Sequence, residues 1–135
     1  MTIKKLTILS LVICLLLSVT ACSQETGYEQ ISAEEAKQIM DTEDNYVILD
    51  VRTQEEFDEG HIPGAILIPD YEIEDRAEAE LKDKEQTILV YCRSGNRSKV
   101  ASAALAELGY TNVKEFGGII DWPYEVEFTL KAIDM

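Results

Sequence analysis

Two continuous apolar runs constrain the fold of this chain more than any other sequence feature. Tyr46–Val51 and Thr87–Tyr91 carry apolar or β-branched residues at nearly every position, without the alternation of a half-exposed strand. Strands of this kind are buried on both faces, which is typical of a parallel sheet covered by helices. Shorter apolar segments at Ala65–Ile68 and Val113–Phe116 predict two further strands.

Helical segments alternate with these strands along the chain. Ser32–Glu35 and Thr53–Glu56 match the capping box that opens a helix. A third helix is predicted over the acidic segment Tyr71–Leu81, and a fourth over the alanine-rich segment Ser98–Leu108, which Gly109 would end. We therefore expect one small α/β domain, in which helices cover both faces of a mostly parallel sheet of about four or five strands.

The N-terminus has the form of an export signal. Lys4 and Lys5 precede Leu6–Val19, an apolar run shorter than the roughly 20 residues that span a bilayer. The segment Val19–Cys22 resembles the lipobox of bacterial lipoproteins, which implies that Cys22 is diacylated and becomes the first mature residue. Ordinary signal-peptidase cleavage just before Cys22 is the alternative, and both routes export the domain.

These features predict three segments: a signal peptide over residues 1–21, a lipidated cysteine and polar tether over 22–30, and a domain over 31–135. Two acyl chains on Cys22 would anchor the protein to the outer face of the bacterial cell membrane. Cleavage removes two lysines and no acidic residue, so the formal charge changes from −14 to −16. Such an acidic surface disfavours binding to nucleic acid.

The cysteine count leaves one free thiol in the mature domain. Cys14 lies in the signal and Cys22 would carry lipid, so Cys92 has no partner for an intrachain disulfide. A lone cysteine is often a small buried hydrophobe, whereas an unpaired thiol outside the cytoplasm is open to oxidation and needs a reason to be kept. With one histidine, His61, and one free thiol, the sequence predicts no metal site.

The segment after the second apolar run favours a chemical role for its cysteine. It reads Cys92-Arg93-Ser94-Gly95-Asn96-Arg97-Ser98 and leads into the fourth predicted helix. The strand would deliver the cysteine to the carboxyl edge of the sheet, where ligands of open α/β sheets bind. Loop N–H groups, the helix N-terminus and both arginines would favour the thiolate over the thiol. Gly95 and Asn96 suit a tight turn. Ser98 is predicted to be the helix N-cap, and the alternative is that its hydroxyl donates a hydrogen bond to a persulfide on Cys92.

This strand, loop and helix closely resemble the active-site region of the rhodanese family of sulfurtransferases. The likeness extends to Asp50-Val51-Arg52, Glu55-Glu56-Phe57 and Gly60–Ala65 before the loop, and to Gly117-Gly118 and Trp122 after it. Any one of these motifs would be weak, but their order and spacing together are specific. The signal, the tether and the tail after Pro123 lie outside the resemblance.

The resemblance implies a two-step transfer of sulfane sulfur. Cys92 would attack a small sulfur-containing anion such as thiosulfate, keep the outer sulfur as a persulfide, and pass it to cyanide or a thiol. It also implies that the donor and the persulfide are held by the loop, with N–H groups of residues 93–97 on the sulfur and two arginines on the donor. No cofactor is implied. The binding residues would be Arg93, Ser94, Gly95, Asn96, Arg97 and Ser98.

Two other functions stay open on the sequence alone. Rhodanese-like domains also occur as non-catalytic sulfur-binding or interaction modules, although this chain keeps both the cysteine and a complete loop. Cysteine-dependent phosphatases and arsenate reductases use Cys-x5-Arg, whereas Cys92 and Arg97 form Cys-x4-Arg. The shorter loop favours a cradle for a single sulfur atom over one for a tetrahedral oxyanion.

Outside the loop we expect mainly structural roles. Asp50, Arg52 and Glu56 are predicted to support the sheet edge, with an ion pair between Arg52 and Glu56. His61 lies in a Gly-His-Ile-Pro-Gly turn and is interpreted as a hydrogen-bonded turn residue rather than a general base. The C-terminal aromatic residues are expected to close the core: Trp122 and Tyr124.

Overall fold

The computed structural model describes residues 26–130, and this part of the chain forms a five-stranded sheet. The order across the sheet is β1-β5-β4-β2-β3, and every neighbouring pair is parallel. The expected α/β fold with a parallel sheet is confirmed, and β4 lies at its centre. The strands are β1 (Glu29–Gln30), β2 (Tyr46–Asp50), β3 (Ile66–Leu67), β4 (Thr87–Cys92) and β5 (Val113–Gly118).

Helices connect the strands. Both predicted capping boxes are present: the Ser32 side chain accepts from the backbone N–H of Glu35, and the Thr53 side chain from that of Glu56. These caps set where the first two helices begin. The helices are α1 (Ala33–Thr42), α2 (Gln54–Asp58), α3 (Ile73–Glu80) and α4 (Asn96–Glu107), and 3-10 turns lie at Asp70–Glu72 and Ile119–Asp121.

Every residue of β4 is buried, as its apolar run predicts. Because successive strand residues point to opposite faces, β4 contributes to two hydrophobic clusters. Val90 and Cys92 belong to the cluster that includes residues of α3 and α4. Leu89 and Tyr91 belong to the cluster on the other face, with Ala36 of α1. Cys92 is thus part of the core as well as the last residue of its strand.

Some element boundaries differ from the sequence predictions. Glu29–Gln30, expected in the tether, pair with Lys114–Glu115 as a short edge strand. A polar strand of two residues has no hydrophobic pattern that could reveal it. Helix α4 begins at Asn96 with Gly95 as its N-cap, so the prediction that Ser98 caps this helix is wrong. The helix starts earlier because Gly95 adopts a left-handed conformation that turns the chain directly into it.

Two predicted features lie outside the described residues: the signal peptide over 1–21 and the lipidation site Cys22. Between residues 26 and 130, no helix has the length and apolar character needed to cross a membrane.

A buried ion pair fixes the carboxyl end of β2. Arg52 Nη2 donates to Asp50 Oδ2 at 2.7 Å, and Arg52 Nε lies 3.0 Å from Asp50 Oδ1. The same Nη2 donates to the carbonyl of Gly60 at 2.7 Å. The predicted ion pair between Arg52 and Glu56 is therefore wrong, because the guanidinium folds back onto the carboxylate two residues earlier. Removing one partner of a pair this buried would strongly destabilise the fold, because the other charge would be left buried and unpaired.

Gly118 allows β5 to pass directly beneath the loop that follows β4. A Cβ atom at this position would lie 2.0 Å from the carbonyl oxygen of Arg93 and 2.6 Å from Cα of Ser94. The backbone of Gly118 is extended, with φ −131°. The close approach of two backbones, rather than a left-handed conformation, is what requires glycine here.

Replacing Gly118 with alanine should displace this loop. We expect Gly118→Ala to lower the free energy of unfolding by about 3 kcal/mol, at the upper end of overpacking costs, because backbone atoms cannot rotate away. Urea unfolding followed by circular dichroism measures the change. Gly64→Ala is the comparison variant: Gly64 has open space around its Cβ position, so only the cost of a side chain at φ +81° is expected there, about 1 kcal/mol. Equal stability of the two variants would contradict the close-approach argument.

Candidate active site at the carboxyl end of β4

The sulfur of Cys92 lies at the carboxyl end of the central strand, as the sequence predicts. The residue is only 1% exposed. On one side, the pairing of β4 with β5 shifts register between Val90 and Cys92, so that Cys92 lies opposite Gly118. A reacting atom must therefore reach the sulfur from within the loop. This favours a small molecule, or one whose reacting atom is at its end.

Hydrogen bonds surround the sulfur from the loop and from the start of α4. The backbone N–H of Gly95 donates to Sγ at 3.0 Å, and the thiol lies 3.4 Å from Ser98 Oγ. Burial acts to raise the pKa of the Cys92 thiol, but hydrogen bonds from the Ser98 side chain and from the N–H groups of Ser98, Gly95 and Ser94 outweigh it. The net effect is a lowered pKa, because these donors stabilise the thiolate.

The backbone of the loop explains how several N–H groups reach one atom. Gly95 has φ +102°, a conformation that side chains disfavour, and it caps α4. The family resemblance implied that N–H groups of residues 93–97 surround the sulfur. The N–H of Ser98 also contributes, because α4 begins at Asn96, two residues earlier than predicted. Among the other predicted loop residues, Ser94 and Asn96 have exposed side chains.

The two loop arginines have different surroundings. Arg97 donates to both oxygens of Glu56 on α2, each at 2.8 Å. This pairing, chiefly its hydrogen bonds, lowers the pKa of Glu56 to about 2. The charge of Cys92 also raises the pKa of Arg97, behind the larger effect of Glu56. Arg93 is exposed and lines a cavity of about 440 Å³. Arg97 thus joins the loop to α2, while Arg93 is exposed at the edge of this cavity.

Sequence reasoning missed one residue of this site, Glu115. It is 3% exposed and comes from β5. Its Oε1 accepts from Ser98 Oγ at 2.6 Å and from the backbone N–H of Gly117 at 2.9 Å. The available signal was a charged residue within the predicted strand Val113–Phe116, two places before the Gly-Gly pair.

His61 and Trp122 make the contacts expected of structural residues, whereas the prediction that Tyr124 closes the core is wrong, because its side chain is 38% exposed at the surface. His61 Nδ1 lies 2.8 Å from the carbonyl oxygen of Phe57, its Nε2 lies 3.2 Å from Glu127 Oε1, and its ring stacks on that of Phe57. Trp122 packs its ring against Phe116, with centroids 5.6 Å apart, and belongs to the partly buried residues around one core cluster. In the described part of the chain, no group of three potential ligands could hold a metal ion.

Several known proteins are similar to this chain in sequence. A family model described as the rhodanese-like domain matches residues 32–123. The thiosulfate sulfurtransferase PspE of Escherichia coli is 41% identical over 73 residues, which cover 54% of this chain and 70% of PspE. A sulfurtransferase of Allochromatium vinosum is 40% identical over 95 residues, covering 69% of this chain and 86% of that protein. The matches to two further relatives cover 52% and 24% of the length of those proteins.

A solved structure gives the same comparison in three dimensions. The structure of a rhodanese with anions from E. coli superimposes with a TM-score of 0.58 and 36% sequence identity. The match covers 62% of this chain and 98% of that one. The match to the family model includes the whole loop and its partners Glu56, Glu115 and Gly118.

The Arg97–Glu56 pair should stabilise the fold in a pH-dependent way. The lowered pKa of Glu56 means that its contribution is complete above about pH 4.5, the ordinary value, and is lost as pH falls towards about 2. We expect Glu56→Gln to cost on the order of 1–2 kcal/mol of unfolding free energy at pH 7, because the pair is partly exposed.

Urea unfolding of both proteins at pH 7, 5 and 3 measures this cost. The difference between wild type and Glu56→Gln should be similar at the two higher values and clearly smaller at pH 3. The matched control is Glu55→Gln, on the same helix turn. A difference that stays constant down to pH 3 would show that the charge of Glu56 is not what stabilises the loop.

Proposed function

Because this chain belongs to the rhodanese-like domain family, we propose that it is a sulfurtransferase in which Cys92 carries sulfane sulfur as a persulfide. The donor would be a small anion with a terminal sulfur, such as thiosulfate, and the acceptor a thiol or cyanide. The observation that carries this proposal is the set of hydrogen bonds on Sγ, led by the 3.0 Å contact from the N–H of Gly95. They lower the pKa of Cys92 despite its burial.

The proposed reaction has two displacements. First, the Cys92 thiolate attacks the outer sulfur of thiosulfate, an S–S bond forms, and sulfite leaves with the electron pair of the bond that breaks. Second, the acceptor, which attacks as cyanide or as a thiolate that has already lost its proton to solvent, takes the outer sulfur of the persulfide, and Cys92 leaves as a thiolate. Each step exchanges one nucleophile for another at sulfur, so no general base is needed once the thiolate exists. This is covalent catalysis with ping-pong kinetics.

The charges around the loop support an anionic donor. Arg93 is exposed at the cavity beside the loop, and the charge of Arg97 reaches Cys92 even though its guanidinium is paired with Glu56. In a chain with a formal charge of −14, Arg93 places an exposed positive charge beside the loop. We propose that Arg93 makes the first contact with the donor and that Arg97 mainly holds the loop, a narrower role for Arg97 than the sequence implied.

The size of the site argues for transfer of a single sulfur atom. The sulfur is almost fully buried, and the loop around it is closed by Gly95 on one side and Gly118 on the other. An exposed sulfur in a wider loop would suit a tetrahedral phosphate. We therefore propose sulfur transfer over phosphate-ester hydrolysis, and expect no turnover of an aryl phosphate.

Cys92→Ala should abolish transfer while leaving the fold intact. After treatment with thiosulfate, we expect wild-type protein to carry one extra sulfur atom on the peptide that contains Cys92, and the variant to carry none. Thiosulfate:cyanide turnover should fall to the uncatalysed rate, because the nucleophile is gone. Mass spectrometry and a thiocyanate assay measure these outcomes, with circular dichroism as the folding control.

Each outcome of that experiment discriminates between functions. An adduct on Cys92 without turnover to either acceptor would indicate a sulfur carrier and contradict an enzyme of this type. The absence of both adduct and turnover in wild type would indicate a non-catalytic module. Turnover that survives in Cys92→Ala would place the chemistry elsewhere.

We also propose that the domain is exported and held at the outer face of the membrane by lipid on Cys22. The support is the sequence from Lys4 to Cys22, with its basic start, short apolar run and terminal cysteine. Two acyl chains would give stable attachment, whereas one gives only marginal binding.

Metabolic labelling with a radioactive fatty acid tests this anchor. In a bacterial host, we expect the full-length chain to be labelled and to sediment with membranes, and Cys22→Ala to lose both properties. Cys14→Ala is the matched control, because it changes a cysteine within the same apolar run and should leave labelling intact. Labelling that persists in Cys22→Ala would contradict the proposed site.

A further inference from the structure

A buried carboxylate lies two hydrogen bonds away from the nucleophile. Glu115 is 3% exposed, and its Oε1 accepts from Ser98 Oγ at 2.6 Å. Ser98 Oγ in turn lies 3.4 Å from the sulfur of Cys92. The described contacts of Glu115 Oε1 are with neutral groups, the hydroxyl of Ser98 and the N–H of Gly117. A buried carboxyl group is thus held beside the position where a thiolate must form.

The hydroxyl of Ser98 links the two groups and has only one proton to donate. Its oxygen lies near several acceptors, the closest of which is the carboxylate of Glu115 at 2.6 Å, ahead of the carbonyl of Gly95 at 3.0 Å. A charged acceptor forms the stronger hydrogen bond. In the thiol state, the S–H of Cys92 therefore donates to Ser98, and Ser98 donates to Glu115.

When the thiolate forms, the hydrogen bonds that link Cys92, Ser98 and Glu115 must rearrange. A sulfur anion needs donors, and Ser98 can donate to it only by turning its proton away from Glu115. The carboxylate then loses its short hydrogen bond and faces a second negative charge. Both consequences act against the thiolate, one through the shared proton and the other through like-charge repulsion.

We propose that Glu115, as a carboxylate, is a positioning residue that acts through Ser98: it competes with the thiolate for the hydroxyl proton of Ser98, weakens the hydrogen bond that Ser98 gives the sulfur, and so limits how much thiolate the unloaded protein contains. The N–H groups of the loop favour the anion, and Glu115 opposes it. This inference rests on the proposed role of Cys92 as the nucleophile. It concerns the unloaded thiol, however, and its test does not depend on sulfur transfer.

Other charged groups face the site from the surrounding elements, and replacing Glu115 leaves them in place. Arg97 on α4 acts on Cys92 and is paired with Glu56 on α2. Asp70, in the turn before α3, also acts on Arg97. At the end of β2, Asp50 pairs with Arg52, and Arg93 is exposed in the loop itself. These groups therefore contribute the same electric field at Cys92 in the wild type and in the Glu115→Gln variant.

Glu115→Gln tests the proposal, because it keeps the size and an acceptor oxygen but removes the charge. In a chain with Cys14→Ala and Cys22→Ala, Cys92 is the only thiol, and its titration is followed by ultraviolet absorbance and by the pH dependence of alkylation with iodoacetamide. We expect the midpoint to fall by about one pH unit, which is about tenfold more thiolate below the midpoint. Glu107→Gln removes an exposed charge from α4 and should leave the midpoint unchanged.

Ser98→Ala separates action through the hydroxyl from a general field effect. If Ser98 mediates the effect, the shift caused by Glu115→Gln should be at least halved in the Ser98→Ala background. The proposal is overturned by an unchanged or raised midpoint in Glu115→Gln, by an equal shift in both backgrounds, or by an equal shift in Glu107→Gln. Circular dichroism verifies that each variant is folded. Sulfur transfer that fails in wild type would overturn the proposed function while leaving this titration interpretable.

Discussion

The sulfur of Cys92 is subject to two opposed effects on its charge, and the rest of the site depends on which is larger. Burial in the core at the end of β4 disfavours an anion. Hydrogen bonds from Gly95, Ser94 and Ser98 favour one, and they prevail, so the pKa of the thiol is lowered. A buried cysteine without such donors would be an inert core residue. The arrangement of the loop is therefore what distinguishes a reactive sulfur from a hydrophobic one.

The scaffold around the loop serves to keep these donors in place. Gly118 lets β5 approach the backbone at Arg93 and Ser94 from below. On the other side, the two-fold hydrogen bonding of Arg97 to Glu56 joins the start of α4 to α2. Both contacts connect the loop to regular elements, so the positions of its N–H groups are set by the sheet and helices. Pre-organised donors of this kind do not have to rearrange when charge develops.

The fold and the position of Cys92 could be predicted from the sequence because both have local patterns. The apolar run that became β4 and the capping boxes at Ser32 and Thr53 are short-range signals, and the structure confirms them. Cys92 directly follows the apolar run in the sequence, which predicted that it would lie at the carboxyl end of the sheet. Spacing of motifs along the chain carried the family resemblance, which the match over residues 32–123 confirms.

The partners of individual charges were harder to predict, because they depend on which elements meet in space. Arg52 was expected to pair with Glu56 four residues later, yet it pairs with Asp50, and Glu56 pairs with Arg97 from a distant helix. Glu115 was missed for the same reason. Its neighbour Ser98 is close only because β5 lies beside β4, a relation that the order of residues does not state.

The pKa of Cys92 in the wild-type loop tests this account most directly. It can be measured from the rate of alkylation across pH in a chain where Cys92 is the only thiol. The account predicts a midpoint below the value of about 8.5 for a free cysteine, since hydrogen bonding outweighs burial. A midpoint at or above that value would mean that burial prevails, and would contradict the proposal that Cys92 is a sulfur-transferring nucleophile.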